Sequence, residues 1–201
     1  MLAEHPIIMS PPMIRAILAD KKTQTRRVIT HPEYFGCLTG DCPHDKKEEC
    51  EVAIQGWLDE SPYKVGNKLW VRETYRYFND GDLFYKADAF AQGEEYIPVH
   101  ADDEPEDWRW QNAMFMPRKH SRITLGITDA RVQRLQDITH RDALAEGVEY
   151  DVSKPDGAPL PRYRALWDHI NAKRGFPWES NPWVRRICFR TLRKNFTEVE
   201  P

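Results

Sequence analysis

The sequence predicts an α+β domain with a mixed or barrel-like sheet, and three observations lead there. Apolar residues recur at helical spacing in three stretches, near residues 10–22, 139–145 and 161–173. Elsewhere they alternate with polar residues, over 69–74, 121–135 and 183–192. The resulting order of helix, strands, helix, helix, strand lacks the regular strand–helix alternation of a doubly wound sheet.

Each element has a local reason. From Ser10 to Lys22 the residues Met13, Ile14, Ile17 and Leu18 form an apolar stripe, and Ser10 followed by two prolines reads as a cap with proline in the first turn. Thr23 to Ile29 is rich in β-branched residues and favours an extended chain, so its polar groups lie at a helix-to-strand junction. Residues 30–64 carry Pro32, Gly36, Gly40, Pro43 and three cysteines with little periodicity, which predicts an insertion. Gly66–Asn67 is a turn feeding a strand with Leu69, Val71 and Glu73 on one face and Trp70, Arg72 and Thr74 on the other. Leu83–Tyr85 is its short partner. Residues 91–113 are acidic, Trp-bearing and aperiodic, hence an irregular loop.

Ser121 to Leu135 predicts one long strand or two successive ones, central to the sheet, with Ile123, Leu125, Ile127 and Val132 inward. Thr139 caps a helix through Ala145, with Asp142 completing the cap and Gly147 just past the end. A helix over Pro161–Lys173 buries Tyr163, Leu166, Trp167 and Ile170, and Gly175 stops it. Trp183 to Leu192 closes the fold as a strand with Trp183, Ile187 and Phe189 in the core.

The bulk numbers bound the function. A chain of 201 residues, 40% hydrophobic and 30% charged, fits one foldable domain spanning 1–201. No apolar run approaches the roughly 18 residues that span a bilayer, and the start lacks a basic, then apolar, leader pattern, so a cytoplasmic protein with no membrane partner is expected. Four cysteines are too few for a disulfide scaffold. The net charge of -3 decides nothing by itself. Its distribution says more: cations gather at 21–27, 118–122 and 185–194, acids at 48–51 and 102–107. Nothing indicates an oligomeric state.

The densest polar set is Lys21-Lys22-Thr23-Gln24-Thr25-Arg26-Arg27. Lysines beside hydroxyls either activate a Thr nucleophile, hold phosphate, or form a solvated basic turn. Glu73 is an acid on a strand, suited to a salt bridge with Arg27 or Arg72 or to a base edge. Arg118, Lys119, His120 and Arg122 suit phosphate, and Trp70, Tyr75 and Tyr77 suit base stacking or the core. Cys37, Cys42, His44 and Cys50 are four residues of zinc-ligand type, although Cys42-Pro43-His44 is spaced more tightly than usual. Structural zinc and a polar loop with free thiols both remain open.

Residues 17–27, ILADKKTQTRR, resemble the opening signature of ASCH domains, in which a short helix ends in Gly or Asp, a basic residue, Lys-Thr, any residue, Thr, any residue and Arg. Gly66–Val71 and Asp137–Val148 resemble the turn and strand and the later helix of that group. Residues 69–74, 116–118, 121–124 and 181–184 are most similar to its longer, phage- and prophage-associated members. The resemblance implies a PUA-like β-barrel with flanking helices, here with an inserted Cys-containing loop, and a cleft for RNA, DNA or a modified nucleoside. By similarity to small bacterial ASCH amidohydrolases, Thr25 is the nucleophile, Lys22 its base, Glu146 the acid and Arg27 a supporting residue, acting on an acylated cytidine without a cofactor. Arg26 stands where those enzymes have an apolar residue, and this chain is about twice their length. Thr23, Arg26, Arg27, Trp70, Arg72, Glu73, Arg118 and Arg122 are the substrate-binding candidates. A binding-only RNA or DNA module and a metal-independent nuclease are the alternatives.

Overall fold

Two prolines after an extended Ser10 start the first helix, because an N–H given up at the first helical positions had no intrahelical partner to lose. The computed structural model describes residues 3–30, 56, 61–78, 81–90, 109–150 and 158–194. It places this helix, α1, at Pro11–Leu18, with Ile14 and Ile17 fully buried. The helix holds the whole apolar stripe but ends before Lys22, where Asp20 takes a left-handed conformation, φ 56°. That conformation gives the Gly-or-Asp position of the motif a physical reason: glycine adopts it freely, and aspartate does so more readily than most residues.

Five strands, β1 (Glu4–Ile8), β2 (Gln24–Val28), β3 (Lys68–Arg72), β6 (Ile123–Arg134) and β7 (Trp183–Lys194), follow the order β1-β3-β6-β7-β2. The shorter β4 (Tyr75–Tyr77) and β5 (Leu83–Tyr85) pair separately. With helices α2 (His140–Ala145) and α3 (Pro159–Asn171) the architecture is α+β, and β6 holds the middle position that its alternation predicts. The chain divides into two compact units, the first made of Met1–Asp20, Lys68–Gly126 and Thr191–Pro201, the second of Lys21–Asn67 and Ile127–Arg190.

In unit 1, β1 runs parallel to β3 from Glu4↔Lys68 to Ile8↔Arg72, and β3 pairs antiparallel with β6 through Leu69↔Leu125. Pro6, which has no N–H to donate, lies in a strand at the end of the order, where a missing donor costs least. Leu69, Val71, Ile123 and Leu125 are wholly buried. The strand expected to continue through Thr74 stops at Arg72, and Leu83–Tyr85 pairs with Tyr75–Tyr77 instead, around a small core of Tyr75, Tyr85 and Met116.

In unit 2, β2 pairs antiparallel with β7 from Gln24↔Cys188 to Val28↔Val184. Helix α2 carries the expected capping box: Thr139 Oγ1 accepts from Asp142 N, and Asp142 Oδ2 accepts from Thr139 N, both at 3.1 Å. Gly147, at φ 87°, follows its end. Leu135, Ile138, Ala143, Tyr163, Trp167 and Val184 form the core. Two expectations are corrected here. Ile170 is exposed, and Asn171 takes the buried position of that turn, its Nδ2 donating to Trp167 O. Val184 rather than Trp183 enters the helix-facing core, while Ile187 and Phe189, of opposite parity, are buried too, so β7 is covered on both faces between Val184 and Phe189.

The insertion at 30–64 is described only at residues 30, 56 and 61–64, and residues 91–108 of the acidic loop lie outside the described residues. So do Cys37, Cys42, His44 and Cys50, and with them the zinc expectation. Among the described residues no group of metal-ligating side chains forms a site, and no helix is long and apolar enough to cross a membrane.

Candidate functional site

The first residues of unit 2 lead into β2, and strand alternation sorts their side chains. Gln24 and Arg26 share one face of β2, and Thr25 and Arg27 take the other. Lys22, ahead of the strand, forms an isolated bridge with Glu146, and Thr23 N donates to Ala145 O at 2.8 Å. This backbone seam brings the start of β2 against the end of α2.

Across the seam lies a buried charge network. Lys22 Nζ donates to Glu146 Oε2 and to Glu146 O, both at 2.8 Å. Arg26 donates to Glu146 Oε1 at 3.0 Å and lies 3.3 Å from Asp142 Oδ2. Gln24 Nε2 donates to Asp142 O at 2.8 Å and to Asp142 Oδ1 at 3.2 Å. Arg186, opposite Arg26 in the β2–β7 register, pairs with Asp129 and lies 3.7 Å from Asp142 Oδ1. Asp142 and Glu146 are four residues apart on α2 and its end, so both carboxylates fall on one side of the helix and meet these cations.

Burial dominates the electrostatics. It pushes the Lys22 ammonium below the usual lysine range; the charge and hydrogen bond of Glu146 oppose this, and Arg27 and Arg26 add to it. Burial also pushes Tyr163 well above the usual tyrosine value, with the charge of Glu146 adding to this and the charges of Arg26 and Arg27 opposing it. For Asp142 burial acts upward, but the bonds from Thr139 and Gln24 and the charge of Arg26 together leave its carboxyl below 3.8.

On the other face of β2, Thr25 lies opposite Ile187 and Arg27 opposite Arg185. Thr25 is 2% exposed, and Arg27 is half-buried. The Arg185 guanidinium lies 4.9 Å from the Tyr63 ring centroid. Burial lowers Arg27 and Arg185 from the usual arginine value.

Of the candidates read from sequence, Lys22, Thr23, Thr25, Arg26, Arg27 and Glu146 belong to unit 2, whereas Trp70, Arg72, Glu73, Arg118 and Arg122 belong to unit 1. Arg122 grips Glu73 with two bonds of 2.9 Å and Asp88 with bonds of 2.8 and 2.9 Å, its guanidinium 4.0 Å from the Tyr85 ring centroid. Glu73 thus has a salt bridge, with Arg122 rather than Arg27 or Arg72. Trp70 is buried, with Arg72 4.7 Å and Arg118 5.8 Å from its ring. Arg118 donates twice to Glu4. Gln24, Asp142, Arg185, Arg186 and Tyr63 join the site although the sequence does not single them out as catalytic or substrate-binding candidates. The i, i+4 acids on α2 and the i, i+2 polar face of β2 were readable signals for the first two, while β7 enters only through long-range register.

No family profile and no curated protein matches the chain. Among solved structures it is similar to protein EF3133 from Enterococcus faecalis V583, of family DUF984, with a TM-score of 0.45 and 10% identity over 100% of this chain and 87% of that one. It is also similar to an ASCH domain from Lactobacillus crispatus JV V101, with a TM-score of 0.43 and 10% identity over 95% of this chain and 80% of that one.

Proposed function

We propose that the chain binds nucleic acid, or a modified nucleoside made from it, at Lys22, Thr25, Arg27 and Glu146. The observation that carries this reading is the register pair Arg27↔Arg185 on the face of β2 that holds Thr25, with the Tyr63 ring beside Arg185. Guanidinium groups bind phosphate oxygens or base edges bidentately, a hydroxyl adds a donor and acceptor, and a ring offers a stacking surface. Fluorescence anisotropy with short RNA and DNA strands across a salt series tests it. Affinity falls with salt at a slope set by the phosphates contacted, and Arg27→Gln and Arg185→Gln each make that slope shallower. Failure to retain any strand or nucleoside at low salt sinks the reading.

A finer reading, hydrolysis of an amide on a modified base, draws support from the Lys22–Glu146 contact. The Lys22 ammonium first gives a proton across the 2.8 Å contact to Glu146. Thr25 Oγ then attacks the amide carbonyl carbon as its own proton passes to Lys22. Glu146 then protonates the departing amine as the C–N bond breaks. Water cleaves the resulting ester, releasing the acid and restoring the hydroxyl. Binding stands first, because both Glu146 oxygens are already engaged by Lys22 and Arg26. Mass spectrometry of acylated nucleosides incubated with the wild type and with Thr25→Ala separates the two. Product from the wild type alone supports hydrolysis, and ligand retained without product leaves a binding site.

A further inference from the structure

Among the described residues of unit 1, the most exposed aromatic side chain sits on a firmly anchored turn. Residues Ala113–Phe115 form a 3₁₀ turn whose start is capped by Asn112, with Oδ1 accepting from Met114 N at 2.9 Å. Ala113 and Met116 are buried on either side, and Met116 Sδ accepts from Glu73 N at 3.2 Å. Arg72 reaches over from β3 to donate to Met114 O at 2.9 Å. Fixed in this way, the turn nevertheless turns Phe115 and Met114 outward, 73% and 56% exposed. An aromatic ring held out to water by an anchored backbone offers a fixed face on which a ligand can stack.

Its neighbours say what kind of ligand. The chain continues through Pro117 into a second 3₁₀ turn, Arg118–His120, with Lys119 exposed. Tyr77, 47% exposed, is tied to this turn by a 2.7 Å hydrogen bond between its hydroxyl and His120 Nε2. Tyr85 Oη donates to His120 O at 2.8 Å, which fixes the turn from the other side. From Arg109 to Gly126 the sequence contains no Asp or Glu. Among the described residues Glu4 meets this surface, and it is shared between Arg118 at 3.0 Å and Lys68 at 3.8 Å, two cations to one carboxylate. Aromatic rings interleaved with cations match the alternation of bases and phosphates along a single strand.

We infer that Phe115 and Tyr77 form a base-stacking platform, flanked by Arg72, Arg118 and Lys119, that binds single-stranded nucleic acid on unit 1. The inference draws on none of the unit 2 residues proposed above and stands or falls without them. The test uses the full-length protein and a fluorescent single-stranded oligonucleotide bearing a photoreactive pyrimidine. Phe115→Ala, a change at an exposed position, weakens binding roughly 5- to 150-fold, the loss of one stacked base. Lys119→Gln makes the salt dependence shallower. Irradiation of the wild type joins the strand to a peptide containing Phe115 or Tyr77, and Phe115→Ala leaves retention of a free modified nucleoside unchanged. The inference is overturned if Phe115→Ala binds the strand as tightly as the wild type with crosslinks elsewhere, a result that leaves the unit 2 reading intact. It is equally overturned if the wild type retains no strand, or if the turn captures an acidic peptide in place of one.

Discussion

Lys22 Nζ meets both the carboxylate and the backbone carbonyl of Glu146 at 2.8 Å, in a place where neither residue reaches water to any extent. An ammonium without solvent depends on these acceptors, and Glu146 in turn answers two cations, Lys22 and Arg26. The pair is therefore unequal. Losing the Glu146 carboxylate leaves Lys22 with a backbone carbonyl and Arg26 with Asp142 alone; losing Lys22 leaves Glu146 paired with Arg26.

That inequality ranks two substitutions. Breaking a buried ion pair from one side costs about 3–5 kcal/mol. Glu146→Gln should fall at the upper end and Lys22→Met below it, with urea unfolding of both variants as the measurement. If Lys22→Met proves the more damaging, the carboxylate is not the hub of the network.

Asp142 supplies an acid-sensitive share of the stability. Burial acts upward on its carboxyl, yet the bonds from Thr139 and Gln24 and the charge of Arg26 hold it below 3.8. With the folded pKa below the unfolded one, the unfolded chain takes up the proton first as the pH falls. The contribution is thus complete above the unfolded value and is lost as the pH drops through the folded one. Between about pH 5 and pH 3 the thermal midpoint of Asp142→Asn should therefore fall less steeply than that of the wild type. Parallel curves would show that the carboxylate's charge is not what the network uses.

Thr139 isolates the capping role of the same junction. Its hydroxyl satisfies an N–H that the first turn of α2 leaves without an intrahelical partner. Thr139→Ala should cost about 0.5–2 kcal/mol, and Thr139→Ser much less, since serine keeps the oxygen. Equal losses in chemical denaturation would assign the effect to the methyl group's packing.

Helix α2 was legible because its signals are local: Thr139, Asp142 and Gly147 specify both ends within nine residues of chain. The central place of β6 followed from strict alternation at Ile123, Leu125 and Ile127. The site was legible as a set of residues but not as a geometry. The motif pairs Lys22 with Thr25, whereas strand parity and the α2 carboxylates group Lys22 with Gln24 and Arg26. Arg186 and Arg185 enter through a register with β7 that no local pattern encodes. The break between β3 and β4 is hidden for a related reason. Glu73 leaves the strand path to meet Arg122, a partner 49 residues away.

The Arg122 cluster offers a test in which pH gives the answer. Burial raises Glu73 above the usual carboxylate value, while the bonds and charge of Arg122 pull it back down. Arg122 in turn is raised by Glu73 and Asp88 against the opposing effect of burial. In Arg122→Met the buried Glu73 loses its counter-charge, so its folded pKa climbs further above the unfolded 4.5. The folded variant then holds a proton that the unfolded chain releases, and its stability declines as the pH rises through that window. The deficit of Arg122→Met relative to the wild type, read from urea midpoints, should therefore be larger at about pH 7 than at about pH 5, reaching about 3–5 kcal/mol at the higher value. Arg122→Lys should recover only part of it, because a single ammonium cannot reproduce a planar fork that engages two carboxylates at once. A deficit independent of pH in Arg122→Met would mean that Glu73 is compensated by some other charge.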